Sequence, residues 1–293
     1  MVQLWGKDVE RKFFEESLKI ATPEQLFYVT ENNEYVAYWP KGYKGKKSTL
    51  QSRNSFIGTF TEKWISDLMN KIVIEKGLFA TTGVVCPEIE LTESSPADVA
   101  ITVEKGKNQK AEGILLIIEV KMSIVWNWKY INDAKEGPKL VCIGDFRTHQ
   151  GNPGLLRSDS MLKAIGKSIN IRVSSDKASK IPIIVITNTP ITNSYYEKVD
   201  NIKKAGVIQG FFSVNPKPMD GLDNSLKQTE GKGYYKFDSF NEIRGYINSI
   251  LQSEINFFSG MKNKEEIGRI IEIANKEDSY EKKGEAFLKL IKR

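Results

Sequence analysis

The segment Ile114-Leu-Leu-Ile-Ile-Glu-Val-Lys121 constrains this chain more than any other. Its near-continuous apolar run reads as a central strand buried on both faces. Such a strand belongs inside a sheet with helices on either side. The expected fold class is therefore α/β (α+β), a mixed central β-sheet flanked by helices. The run ends unusually, because Glu119 and Lys121 bring charge to positions where Thr or Val would be ordinary.

Upstream, Asp98–Val103 alternates, with Val99, Ile101 and Val103 on one face, and Val84–Leu91 contains Pro87, which suits an edge strand. Pairing Val103 with Ile114 in antiparallel register brings Asp98 opposite Glu119. Glu119 and Lys121 then share a face through the two-residue period. Like charges directly opposed across strands are destabilising, and carboxylates taken from water require a compensating cation. A divalent ion between Asp98 and Glu119 would supply it. Oxygen ligands favour Mg²⁺ or Mn²⁺, and Lys121 would polarise a water for in-line attack on a phosphodiester. The same residues also make a plain ion pair at a strand end, with Lys121 neutralising two acids.

The remaining pattern supplies the frame. A helix is expected over about 56–76, with an apolar stripe of Ile57, Phe60, Trp64, Leu68 and Ile72 beside a small polar row, Ser55, Thr59, Glu62 and Ser66. Residues 126–157 read as an aromatic and polar connector. A helix at about 159–171 is expected to turn Met161, Leu162, Ile165 and Ile169 inward, with Lys163, Lys167 and Asn170 opposite. Strand Ile183–Thr187, helix Ser194–Ala205 with Ser194 and Glu197 as a capping box, and strand Val207–Val214 follow, and Gly206 closes the helix. Near the end, Ser239 with Glu242 and Asn263 with Glu266 mark helix starts.

Scarce residues exclude several chemistries. Among 293 residues there are 2 cysteines and 1 histidine, His149, so a disulfide scaffold, a Cys-rich zinc site and His-pair metal sites are ruled out. The net charge of +6, from 43 Lys+Arg against 37 Asp+Glu, suits a polyanionic partner only mildly. Gly166-Lys167-Ser168 imitates the end of a phosphate-binding loop, but Met161 stands where the first glycine is required, so no nucleotide cofactor is expected. No membrane span or signal segment is read, and a cytoplasmic protein is expected.

Pro96-Ala-Asp98, 20 intervening residues, then Glu119-Val-Lys121 resembles the proline-aspartate … (Asp/Glu)-x-Lys nuclease superfamily, which includes most type II restriction endonucleases. Ala97 departs from the namesake pattern, in which proline and aspartate are adjacent. The resemblance implies a restriction-endonuclease-like core, αβββαβ, over about 56–214. It also implies one endonuclease domain over 1–293, with 1–55 an N-terminal extension and 239–293 a helical C-terminal appendage. Asp98 and Glu119 would ligate Mg²⁺, Lys121 would assist the attacking water, and Glu62 on the first core helix would add to the metal site. The products would carry 5′-phosphate and 3′-hydroxyl ends.

Asn127, Lys129, Arg147, Gln150, Asn152 and Arg157 are candidates for DNA contact, since these side chains pair with base edges, and Lys163 and Lys167 suit phosphates. For any single one of them an ordinary structural role, in the core or facing water, is the better reading. The expected function is a Mg²⁺-dependent type II restriction endonuclease acting on double-stranded DNA as a homodimer, because palindromic sites demand two-fold symmetry. A structure-specific repair nuclease or junction resolvase, and a non-catalytic DNA-binding module, remain as alternatives.

Overall fold

The structure is a computed structural model describing residues 2–133, 137–221, 225–253, 255, 257, 262 and 264–291. Its elements are α1 (Lys7–Ser17), α2 (Pro23–Leu26), β1 (Tyr28–Val29), β2 (Tyr35–Val36), α3 (Gln51–Val73), β3 (Phe79–Val84), β4 (Ala97–Thr102) and β5 (Ile114–Val120). There follow β6 (Asn127–Asp133), β7 (Gly137–Gly144), α4 (Ser158–Ser174), α5 (Asp176–Ser179), β8 (Ile183–Thr187), α6 (Tyr196–Lys204), β9 (Gly210–Ser213) and β10 (Tyr234–Lys236). Helices α7 (Phe240–Gln252), α8 (Lys264–Ala274) and α9 (Tyr280–Ile291) end the chain. Asn263, expected to open a helix with Glu266, lies outside the described residues.

The main sheet is mixed and six-stranded, in the order β10-β9-β8-β5-β4-β3. β5 pairs antiparallel with β4 and parallel with β8, as a strand buried on both faces requires. The two-residue period then splits the side chains cleanly. Val99, Ile101, Leu116, Ile118, Ile184 and Ile186 join the core under α3 and α7. Ala100, Ile117 and Ile183 pack with Ile171 of α4, while Val185 and Phe211 pack with Met161 and Ala164 of α4 and Val199 of α6. Helices thus flank a mixed sheet, as the apolar run at 114–118 implies.

The register at the acids is the expected one, reached by a different anchor. Val99 opposes Ile118, Ala100 opposes Ile117 and Ile101 opposes Leu116, which extrapolates to Asp98 opposite Glu119. Val103 does not pair with Ile114. Thr102 does, and a bulge leaves Leu115 as the extra residue. Val103 is exposed instead of continuing the apolar face.

Other boundaries differ for local reasons. β3 covers Phe79–Val84 rather than Val84–Leu91, because Pro87 opens a 3₁₀ turn over Pro87–Ile89. Ser194 caps nothing; a 3₁₀ turn at Asn193–Tyr195 precedes α6. Ser239 does cap, accepting the backbone N–H of Glu242. Gly206, at φ 74, ends α6 in the left-handed region that favours glycine.

Segment 1–55, expected as an extension, packs into the same core as the sheet. Trp5, Phe13 and Phe14 are buried with Phe27, Ile65 and Trp128. The expected connector after β5 is largely a hairpin, β6–β7, and it forms a second, four-stranded sheet in the order β1-β2-β6-β7. Among the described residues, no helix is long and apolar enough to cross a membrane.

Candidate active site

Where β4 begins and β5 ends, Asp98 and Glu119 lie on the sheet face toward α4, since they share the parity of Ala100 and Ile117. Asp98 accepts the Val120 N–H at 2.8 Å, which pins its carboxylate across the strand pair. Lys121 pairs with Glu119 through a short contact and lies 3.7 Å from Asp98 Oδ2, the same oxygen that accepts the Val120 N–H. The three sequence-selected residues therefore meet, with Asp98 16% and Glu119 5% exposed at the side chain.

A fourth residue joins them. Lys167 of α4 reaches 3.0 Å from Asp98 Oδ1 and 2.8 Å from Glu119 Oε2, so one ammonium bridges both carboxylates. Burial pulls the Lys167 amine down, but the charges of Glu119 and Asp98 outweigh it and hold the amine above its ordinary value. Two acids and two lysines thus balance.

Glu62 of α3 stands nearby without a hydrogen bond or ion pair among the described residues. Burial, then the Asp98 charge, pushes its carboxyl up to about 7, against the opposing pull of Lys167 and Lys121. Helix α3 is held to the sheet by two polar side chains: Ser66 donates to the Ala80 carbonyl at 2.7 Å, and the Asn70 amide brackets Ala80 N–H and C=O at 2.9 Å each.

The backbone beyond Lys121 is fixed from β8. Lys121 N–H donates to Ile186 O at 2.8 Å, and the Asn188 amide accepts Ser123 N–H at 3.1 Å and donates to Ser123 O. A cleft of about 770 Å³ opens beside Glu62 and Lys121, lined also by Arg53, Asn54, Asn152 and Arg157.

Of the expected DNA contacts, Asn152 and Arg157 line this cleft, Arg157 in a two-pronged pair with Asp159 at 2.9 and 2.7 Å. Lys163 is exposed, 3.9 Å from Asp159. Lys167 faces the acids. The rest are engaged internally: Asn127 is buried and accepts Tyr38 N–H, Lys129 pairs with Glu34, and Arg147 clamps buried Asp145. Gln150 ties down the carbonyls of Pro40 and Tyr43. His149 stacks on Tyr38 at 4.0 Å, and burial lowers its pKa to about 4, so it is a neutral packing residue near neutral pH.

Sequence reasoning missed Arg53. It is buried between the rings of Tyr28 and Tyr38, 5.1 Å from each centroid, and donates to the carbonyls of Leu26 and Ala37. The available signal was a basic stretch at 41–61 without any acid. Lys167, expected to meet phosphate, faces the acids instead, because α4 turns Ala164 and Ser168 inward rather than Leu162 and Ile169.

Whether these residues suit a divalent ion is answered by the bridging amine. Two carboxylates already direct one oxygen each at a single cation, and hard oxygen donors suit Mg²⁺. Among the described residues, no group of three or more His, Cys, Asp and Glu side chains gathers to hold a metal; Asp98 and Glu119 are the two carboxylates that share one cation. No family model matches the chain, and no curated protein or solved structure matches it.

Proposed function

We propose that the chain is a Mg²⁺-dependent endonuclease that hydrolyses phosphodiester bonds of double-stranded DNA, and within that class a type II restriction endonuclease with the restriction-endonuclease-like core, acting in the cytoplasm as a homodimer. The observation that supports this reading is the convergence of Asp98 and Glu119 on one cation, next to Lys121 and Glu62, which line the neighbouring cleft. Asp98 and Glu119 would hold Mg²⁺, which supplies charge stabilisation for the phosphoryl oxygens and acidifies a bound water. Lys121, steadied by Glu119 and by the backbone pairing to β8, would orient the attacking water and offset charge developing on the phosphate. Arg157 and Asn152 would contact the DNA backbone along the cleft.

The balance of two acids by two lysines also favours a second reading, a structural ion-pair cluster in a non-catalytic DNA-binding module. One experiment separates them. Digestion of defined plasmid DNA with Mg²⁺ should yield discrete fragments with 5′-phosphate ends. Lys121→Ala should cut at least about a hundredfold more slowly while binding DNA normally in Ca²⁺. Preference for branched substrates would select the repair or junction nuclease instead. A Lys121→Ala protein that cuts at the wild-type rate would remove Lys121 from the mechanism.

A further inference from the structure

One oxygen of each carboxylate in the site is already taken by an ammonium. Lys167 Nζ contacts Asp98 Oδ1 at 3.0 Å and Glu119 Oε2 at 2.8 Å, and its side chain is only 23% exposed. These are the oxygens that a shared ion would use, and an ammonium and a divalent ion cannot occupy one position. Lys121 does not obstruct in this way, because it pairs closely with Glu119 alone and lies 3.7 Å from Asp98. The lysine stem is a flexible four-carbon chain, so its head can leave without any movement of α4.

From this geometry we infer that Lys167 is a built-in counter-ion. It holds the acid pair together in the absence of metal and must be displaced for a divalent ion to bind. The inference rests on the metal-site reading above and goes beyond it by naming what guards the site. Two effects follow from mutual exclusion. The apparent metal affinity is reduced by the fraction of molecules in which Lys167 is in place. Ion binding also turns a buried amine into a free one at the active site.

The test is a binding measurement, independent of cleavage. Free Mn²⁺ is counted by electron paramagnetic resonance during titration of wild type, Lys167→Met and Lys163→Met. Lys163 lies on the same helix, is exposed, and removes the same charge. Lys167→Met should bind Mn²⁺ about tenfold more tightly than wild type, the gain expected if the site is open in roughly one molecule in ten. Lys163→Met should match wild type. In wild type itself, Mg²⁺ should raise the rate at which acetic anhydride acetylates Lys167, read by mass spectrometry, so the idea is testable even if the methionine variant fails to fold. Equal or weaker Mn²⁺ binding by Lys167→Met, or labelling of Lys167 unchanged by Mg²⁺, overturns the counter-ion role alone. Absence of Mn²⁺ binding to wild type and variant alike overturns the metal-dependent reading, and the counter-ion role with it.

Discussion

Glu62 is the acid of the cluster that the two lysines do not reach, and its behaviour follows from that. Its carboxyl is pushed up to about 7 by burial and by Asp98. A carboxyl whose folded value lies above its unfolded value binds protons more readily in the native state. Stability from Glu62 is therefore fully present below the ordinary value of 4.5 and falls as pH rises from there through about 7. Glu62→Gln removes this penalty. Without metal, the variant should match wild type near pH 4 and exceed it at pH 8 by about 1 kcal/mol, a figure reduced for partial exposure. Urea melts across this range would check it, and a variant less stable than wild type at pH 8 would mean that Glu62 is ionised and paired. Asp98, Glu119 and Lys121 were legible because a strand's faces follow from residue parity alone. Lys167 was not, because nothing local says which side of a helix will meet a sheet.

At the scale of elements, α4 makes that difference concrete. Met161, Ala164, Ser168, Ile171 and Arg172 are its buried residues, while Leu162 and Ile169, expected to face inward, are exposed. Small Ala164 and Ser168 let the helix lie close to the sheet, and Ser168 satisfies its hydroxyl on Ala164 O at 2.8 Å. Arg172 is buried but donates to carbonyls of Val207, Ala178 and Ile181, a solution that hydrophobicity cannot anticipate. The turn that launches α4 is equally demanding. Gly154 has φ 52, and a Cβ there would come 2.7 Å from Thr189 Oγ1 and 3.2 Å from the Lys121 carbonyl. Gly154→Ala should therefore lower stability by about 1–3 kcal/mol and push the ends of β5 and β8 apart. A thermal melt indistinguishable from wild type would show that the turn has room.

For the whole molecule, the decisive residue is Glu10. Fully buried on α1, it accepts four N–H groups: Trp5 Nε1 and Val125 N on Oε1, Trp126 N and Trp128 Nε1 on Oε2. Burial lifts its carboxyl to about 7 against these four donors. One side chain thus joins the N-terminal helix to the segment that leaves the candidate site. In Glu10→Gln an amide NH₂ would face two of those donors, so stability should fall by about 2–4 kcal/mol in denaturant titrations. Little or no loss would show that the N-terminal helix is not coupled to the core through this residue. Sequence alone determined the buried central strand and the two faces it presents, because side-chain alternation obeys short-range geometry. The register that brings Asp98 and Glu119 together is expected from a Val103–Ile114 pair that a bulge replaces. Only the tertiary structure decided that α1 and β1–β2 complete the core and a second sheet, and that Lys167 bridges the acids. These depend on how distant surfaces fit and on which buried polar groups find partners, and neither is written in any local pattern.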